Sequence, residues 1–295
     1  MRVACEAAQV ASAPAGAAAG DLPAALQLRL QFGVKNIPHP NKAHYGGEDA
    51  FFVSELGGGA AGIADGVGGW QESGINPADY SKSFMATARQ YLEECASLYP
   101  EVLSSGEWRA QQEQQAAADG AAAAAEPAPT AAASSLASVG GGEPRTAVEA
   151  LDAAHRSTRL PGSATACVLR LDGRTGELDA ANLGDSGFLV IRDGQLHFQS
   201  PAMQHFFDCP LQFGMPPDTD YAQDAAVFSL QLQPGDAIVL ATDGLLDNLP
   251  QEEIVGLAPR SAGEDGKLEL GKLRGGKMDD ITVVCAYVTH AEQQA

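Results

Sequence analysis

The sequence predicts an α+β fold built on antiparallel sheets. Short apolar runs alternate with tight-turn signals such as Asp172-Gly173, Asp193-Gly194 and Pro234-Gly235-Asp236, which typically join antiparallel strands. Helical periodicity is confined to a few segments, so helices do not alternate with strands as they do in a doubly wound parallel sheet. The Gly-rich stretches also lack the strand, GxGxxG and helix context of a nucleotide-binding fold.

Two helices are expected between the strands. The first covers residues 77–98, where apolar side chains recur every three or four residues, with Asn76 as N-cap and Pro77 as first helical residue. The second covers residues 146–157. Strands are expected at residues 28–34, 50–55, 61–64, 165–171, 178–182, 188–192, 195–199, 227–231, 237–241 and 281–288.

Residues 110–144 differ in composition from the rest of the chain. They consist mainly of Ala, Gln, Gly, Pro and Ser, so they lack the apolar surface that could offset the entropy of ordering. We therefore expect a single domain over residues 26–293, interrupted by a disordered insertion at 110–144. Residues 1–25 are expected to be a disordered tail or a transit-peptide remnant, although Glu6 and a single Arg fit a transit peptide poorly.

The composition favours a protein partner. The formal net charge is −20, which repels nucleic-acid backbones and anionic membranes. No apolar stretch approaches the roughly 20 residues of a membrane span. The cysteines are far apart and form no Cys-x-x-Cys pair, which argues against a zinc ribbon or a disulfide framework.

Acidic residues stand where several of the predicted strands begin or end. They are Glu48, Asp49, Asp65, Asp185, Asp243, Asp247, Asp279 and Asp280. If the strand ends lie side by side, these carboxylates meet, and their mutual repulsion requires bound cations. Oxygen ligands favour Mg²⁺ or Mn²⁺ over zinc. Two such ions polarise a phosphoryl group and ionise water, so the pattern predicts a metal-dependent phosphate hydrolase.

Simpler interpretations of the same acids stay open. Asp65 and Asp243 each precede Gly and could form ordinary turns, as could Asp185 and Asp247. Glu48 and Asp49 could be a solvated pair, and adjacent acids on a strand point to opposite faces, so only one of Asp279 and Asp280 should reach a given ion. Covalent mechanisms lack support, because the chain has neither a Gly-x-Ser-x-Gly elbow nor a Cys-x₅-Arg loop.

The order of these phrases resembles the protein phosphatase 2C family of metal-dependent Ser/Thr phosphatases. The phrases run GEDAFFV, ADGVGGW, GSATA, NLGDSGF, TDGLLDN and GGKMDDIT over about residues 28–288. Their long forms are most similar to the organelle-associated branch of that family. The resemblance implies a four-layer αββα sandwich, in which two antiparallel sheets are flanked by helices and the metals lie at one sheet edge.

The resemblance also implies roles for the central acids. Asp65 would bridge two tightly bound Mg²⁺ or Mn²⁺ ions, with the carbonyl of Gly66 on the second ion. Asp243 and Asp279 would bind the first ion, and these three acids form the expected catalytic set. A water that bridges the ions would attack phosphoserine or phosphothreonine in line, without a phosphoenzyme.

Peripheral roles follow from the same resemblance. Glu48 and Asp49 would hold metal-bound waters, and Asp185 and Asp247 would form a weaker third site. Many family members carry an Arg that grips the phosphate four residues before the Glu. His44 stands at that position here, in keeping with a branch that generally lacks the Arg, so the phosphate ligand stays unassigned and His44 is one possibility.

The expected enzyme is a monomeric phosphatase that acts on phosphorylated proteins in a mitochondrion or chloroplast, or otherwise in the cytoplasm. Two alternatives remain. Residues 251–277 are shorter than in the family, which leaves room for a catalytically impaired relative that only binds phosphoproteins. Another two-metal phosphohydrolase, such as a nuclease, is disfavoured by the acidic charge.

Overall fold

The computed structural model describes residues 28–96, 145–258 and 276–291. The expectations for residues 1–25 and 110–144 lie outside the described residues, as do residues 259–275 within the shortened stretch. The strands in chain order are β1 Leu28–Ile37, β2 Ala50–Ser54, β3 Ala60–Ala64, β4 Ser163–Ala164, β5 Ala166–Asp172, β6 Glu177–Leu183, β7 Gly187–Arg192, β8 Gln195–Gln199, β9 Gln204–Phe206, β10 Cys209–Pro210, β11 Phe213–Gly214, β12 Ala226–Gln231, β13 Ala237–Ala241 and β14 Ile281–His290.

The helices are fewer than the strands. They are α1 Pro77–Ala96, α2 Ala147–Ser157, α3 Asp243–Leu246 and α4 Gln251–Leu257. The Asn76 side chain accepts a hydrogen bond from the amide of Ala78 at 3.2 Å, and Thr146 forms a capping box with Glu149 before α2. None of the helices in the described ranges is long and apolar enough to cross a bilayer.

Two five-stranded sheets form the centre of the fold. Sheet I has the order β1-β14-β13-β7-β8, and sheet II has the order β12-β6-β5-β3-β2. Every neighbouring pair in both sheets is antiparallel. β1 pairs with β14 from Leu28 opposite His290 to Ile37 opposite Ile281, so the two ends of the described chain meet in sheet I.

Three apolar clusters separate four layers. The first packs α1 and α2 on sheet II and includes Phe84 and Leu151. The second lies between the sheets and includes Ile63 and Ile238. The third packs α4 on the outer face of sheet I, around Ile254. The predicted αββα sandwich of antiparallel sheets is confirmed.

The pleat of β14 shows how sequence alternation creates these layers. Val284 faces the cluster between the sheets, whereas Val283 and Cys285 pack on the outer side with α4. Successive side chains of a strand point to opposite faces, so one apolar run serves two cores. Truncating a fully buried aliphatic side chain such as Ile238 to Ala should cost about 2–5 kcal/mol of unfolding free energy.

Candidate metal centre

The acidic phrases of sheet II meet because β2 and β3 are antiparallel neighbours. Ala50, which opens β2, pairs with Ala64, which closes β3. Glu48 and Asp49 precede Ala50, and Asp65 follows Ala64, so the three acids emerge at the same edge. This placement follows from register alone, since the end of one strand lies beside the start of its antiparallel neighbour.

Sheet I repeats this arrangement with β13 and β14. Ala241, which closes β13, pairs with Val283 near the start of β14. Asp243 follows β13, while Asp279 and Asp280 precede β14. The acids of the two sheets lie close together. The charges of Asp243 and Asp279, from sheet I, contribute to the raised pKa of Asp65, from sheet II.

Glycine permits close approach at each Asp-Gly phrase. A Cβ on Gly66 would lie 2.8 Å from the carbonyl oxygen of Glu48, which also accepts a hydrogen bond from the Gly66 amide at 3.2 Å. A Cβ on Gly244 would collide with the carbonyl oxygen of Asp280. In each sheet, therefore, the Asp-Gly turn abuts the opposing acidic pair, which gives both glycines a packing role independent of metal.

The inner carboxyls strongly disfavour simultaneous ionisation. Burial, followed by the charges of Asp49 and Asp243, raises the pKa of Asp65 well above its ordinary value. Burial also raises the pKa of Asp49 to about 7, and the charges of Asp280 and Asp243 add to the shift. Shifted carboxyl pKa values of this kind are common at functional sites.

Two inner carboxylate oxygens are buried with no donor at good hydrogen-bond geometry, although the Thr282 hydroxyl is near enough to Asp49 to oppose the rise of its pKa. They are Oδ1 of Asp49 and Oδ1 of Asp243, and the search for donors covers the described residues. The other oxygen of Asp49 accepts a hydrogen bond from Thr242 Oγ1 at 3.0 Å. Buried polar atoms normally have partners, so these orphaned oxygens fit a site whose ligand is a cation.

Lys42 supplies a positive charge that the sequence analysis missed. Its Nζ lies 2.6 Å from Glu48 Oε2, 3.1 Å from Asp280 Oδ2 and 3.7 Å from Asp279 Oδ1. Burial lowers the pKa of Lys42, but the bond to Glu48 and the charge of Asp280 outweigh it and raise the pKa above its ordinary value. His44, the possible phosphate ligand, is exposed and contacts the Tyr45 ring edge-on.

Lys277 is the second basic group that the sequence analysis missed. Its Nζ forms a short contact with Asp243 and lies 3.4 Å from Asp279 Oδ2 and 3.6 Å from Asp247 Oδ2. Among the described residues, no group of three or more Asp, Glu, His or Cys side chains is arranged so that it could hold a metal ion in the present geometry. In this structure the lysine ammonium groups neutralise the carboxylates.

The donor set fits Mg²⁺ or Mn²⁺. The converging groups are carboxylate oxygens, which are the ligands that these hard cations prefer. The buried oxygens without donors add a second, independent sign of a cation site. Asp65, Asp243 and Asp279, the predicted catalytic set, lie together at its centre.

The remaining predicted ligands lie around this centre. Glu48 is buried and is held by Lys42, the Tyr45 hydroxyl at 3.2 Å and the Gln71 amide. Asp185 lies further out, where burial and then the charge of Asp243 raise its pKa. Its Oδ2 accepts a hydrogen bond from Gln204 at 3.4 Å.

Two other acids differ sharply in exposure. The Asp247 side chain is 56% exposed, as an outer ligand would be. Asp280 is buried and accepts hydrogen bonds from the amides of His39 and Glu48 at 2.6 and 2.9 Å. The adjacent acids Asp279 and Asp280 thus have different surroundings, and Asp280 positions the loop that carries Glu48.

The chain is similar in sequence to proteins of known family. The family model for stage II sporulation protein E matches residues 118–289. "Probable protein phosphatase 2C 80" of Arabidopsis thaliana is 34% identical over 89% of the chain. The chain spans 59% of the length of that relative.

Solved structures show the same fold. The photosystem II phosphatase PBCP is 31% identical, with a TM-score of 0.64 over 88% of this chain and 98% of its own. The catalytic domain of the Ser/Thr phosphatase PstP, solved with two manganese ions, has a TM-score of 0.55 at 18% identity over 89% of this chain and 99% of its own. The chain belongs to the protein phosphatase 2C family of protein serine/threonine phosphatases.

Proposed function

We propose that this chain hydrolyses phosphoserine and phosphothreonine in protein substrates with the help of Mg²⁺ or Mn²⁺. The observation that carries the proposal is the convergence of one Asp-Gly turn and one opposing acidic pair from each sheet. Four strand ends concentrate negative charge at one edge. Lys42 and Lys277 offset part of this charge in the structure, and bound cations would offset it further and make the edge chemically useful.

Asp65, Asp243 and Asp279 would hold two ions in this proposal, with the Gly66 carbonyl as a further ligand. The buried Asp243 oxygen without a donor supports that assignment. When bound, the ions supply the positive charge that polarises the phosphoryl group and lowers the pKa of water. A third, weaker ion would involve Asp185, beside the inner cluster.

The other acids act on the periphery in this proposal. Asp49 and Glu48 would orient water at the metal centre, and Asp247, which is largely exposed, would join Asp185 at the outer site. The Thr242 hydroxyl fixes Asp49, while the Tyr45 hydroxyl fixes Glu48. Side chains held in this way need little reorganisation when a substrate arrives.

We assign the phosphate contact to Lys42 in place of His44. Lys42 lies within the acidic cluster and keeps 21% exposure, so its ammonium group can exchange a carboxylate partner for a substrate phosphate. Its raised pKa keeps it protonated at neutral pH. His44 is exposed and contacts the Tyr45 ring, and it is the alternative phosphate ligand.

Substrate, location and assembly are proposed on indirect support. Phosphorylated proteins are the proposed partners, and the net charge of −20 disfavours nucleic acid. Similarity to a photosystem II phosphatase supports a chloroplast; a mitochondrion or the cytoplasm are the alternatives. We propose a monomer with one phosphatase domain over residues 26–293, whose first and last described strands pair.

The test is phosphate release from a phosphothreonine peptide, with Mn²⁺ and with excess EDTA. We expect turnover with Mn²⁺, loss with EDTA and recovery on adding metal back. Peptide binding without turnover would favour the catalytically impaired relative. Cleavage of DNA or RNA instead of the peptide would favour another two-metal phosphohydrolase.

A further inference from the structure

The β9–β10 hairpin exposes two adjacent phenylalanines. Phe206 is 69% exposed and Phe207 is 93% exposed. They stand at the tip of the hairpin, where Asp208 takes a left-handed conformation with φ of 60°, which Asp tolerates better than most residues. Two exposed phenylalanines that are adjacent in sequence are unusual on a protein surface unless a partner covers them.

The hairpin is firmly attached below its tip. The Met203 amide donates to the Gly184 carbonyl at 2.9 Å, and the Leu211 amide donates to the Met203 carbonyl at 3.0 Å. The ring of His205 pairs with Asp220 at 2.9 Å. These contacts fix the backbone without the phenylalanine rings, which therefore contribute little to folding and are presented in a preorganised position.

The same hairpin borders the metal centre. Gln204 Nε2 donates to Asp185 Oδ2 at 3.4 Å. Phe206 lies two residues beyond Gln204 on β9, across a register shift in the pairing of β9 with β10. Two strand residues span roughly 7 Å. The aromatic tip is therefore close to the metal centre. A substrate segment of a few residues can contact the tip and place its phosphate at the metal centre.

The charge of the chain around the hairpin indicates which kind of partner can bind there. The chain from Asp193 to Ala258, which includes the hairpin, contains no Lys or Arg. Asp208, Asp218 and Asp224 are all exposed in this stretch. A partner segment that joins apolar side chains to basic ones would suit both features, because Arg also binds favourably over aromatic rings.

We propose that the tip formed by Phe206 and Phe207 is a docking surface for the phosphoprotein substrate. It takes an apolar side chain next to Lys or Arg, close in sequence to the phosphorylated residue. This proposal rests on the phosphatase function proposed above and adds a substrate preference to it. Exposed aromatic anchors of this kind commonly dominate the affinity of an interface.

The test compares two phosphothreonine peptides, one with Leu and Arg near the phosphothreonine and one with Ala at both positions. The wild type should prefer the Leu/Arg peptide, and the F206A/F207A variant should lose about tenfold in kcat/KM on it, chiefly through KM. The variant should keep its kcat/KM on p-nitrophenyl phosphate, which is too small to reach the tip. V227A, which truncates another exposed apolar residue on β12, is the matched control and should change neither substrate.

Other outcomes overturn the proposal. Equal kcat/KM of the wild type on both peptides would show that the tip selects nothing. A concentration-dependent dimer that F206A/F207A abolishes in sedimentation velocity would assign the tip to a second copy of the chain. If the wild type hydrolyses neither the peptides nor p-nitrophenyl phosphate, the proposed function fails. The docking proposal is then tested separately, by measuring binding of the two peptides by fluorescence anisotropy. Preferential binding of the Leu/Arg peptide that the variant loses supports it, and equal binding contradicts it.

Discussion

The two ends of β13 carry acids in opposite situations. Asp236 precedes the strand and is buried, and both its oxygens accept hydrogen bonds from Arg192 at 2.8 and 2.7 Å. Asp243 follows the strand and is also buried. One of its oxygens has no donor among the described residues, and its charge acts on Asp65.

This contrast separates a structural acid, Asp236, from Asp243, which we propose binds metal. A carboxylate that serves only the fold is buried together with a matching cation, as Asp236 is with Arg192. A carboxylate that serves chemistry is placed among other acids, and the fold tolerates the repulsion because cations complete the site. The ammonium group of Lys277 neutralises part of the negative charge around Asp243.

The largest effect is expected at the functional end. Asp243→Asn and Asp65→Asn should each lower kcat by roughly 10²-fold or more, because each removes a charged ligand of an ion that stabilises the transition state. Without metal, each variant should be at least as stable as the wild type, since a repulsive charge is gone. Steady-state kinetics and melting curves measure the two effects, and wild-type kcat in either variant would refute the ligand assignment.

The opposite outcome is expected at the structural end. Asp236→Asn should lower the free energy of unfolding by about 2 kcal/mol, because it leaves the partly buried Arg192 without its charge partner. The thermal midpoint should fall by about 4–8 °C, with kcat per folded molecule unchanged. If Asp236→Asn melts like the wild type but loses activity, Asp236 is not a purely structural acid, and the contrast between the two ends of β13 is wrong.

Lys42 and His44 provide a smaller comparison within one loop. Lys42→Met should weaken substrate binding about tenfold, because a charge-assisted contact to phosphate is lost. His44→Ala is the matched control and should keep wild-type kinetics. The values of KM on p-nitrophenyl phosphate decide between them, and the reverse ranking would return the phosphate contact to His44.

Asp185 should show the smallest effect on metal binding. Asp185→Ala should spare the two tight ions and lower turnover several-fold, since a water-rich outer site is weak. If Asp185 only forms a turn, its loss should cost on the order of 1 kcal/mol of stability without a metal-specific effect. Mn²⁺ titration and a melting curve on one variant distinguish the two.

The sequence predicted the family, the sandwich fold and the enzyme class, and all three are confirmed. The acids could be located because each lies next to a regular apolar run whose antiparallel pairing brings strand ends together. The organelle, the ligand roles and the domain limits stay predictions.

What sequence reasoning missed depends on tertiary contact. Lys42 stands 238 positions from Asp280, and no local pattern marks that pairing. The strands β4, β9, β10 and β11 have two or three residues each, too few for an alternation to appear. Short α3 and α4 escaped for the same reason, because periodicity needs length.

The most direct test of the central claim is a calorimetric Mn²⁺ titration of the metal-free wild type and of the D65N/D243N and D236N variants. We expect saturable binding of about two ions to the wild type and to D236N, and none at the inner site of D65N/D243N. We also expect that Mn²⁺ raises the melting temperature only where it binds. Identical binding heats for the wild type and D65N/D243N would contradict the account.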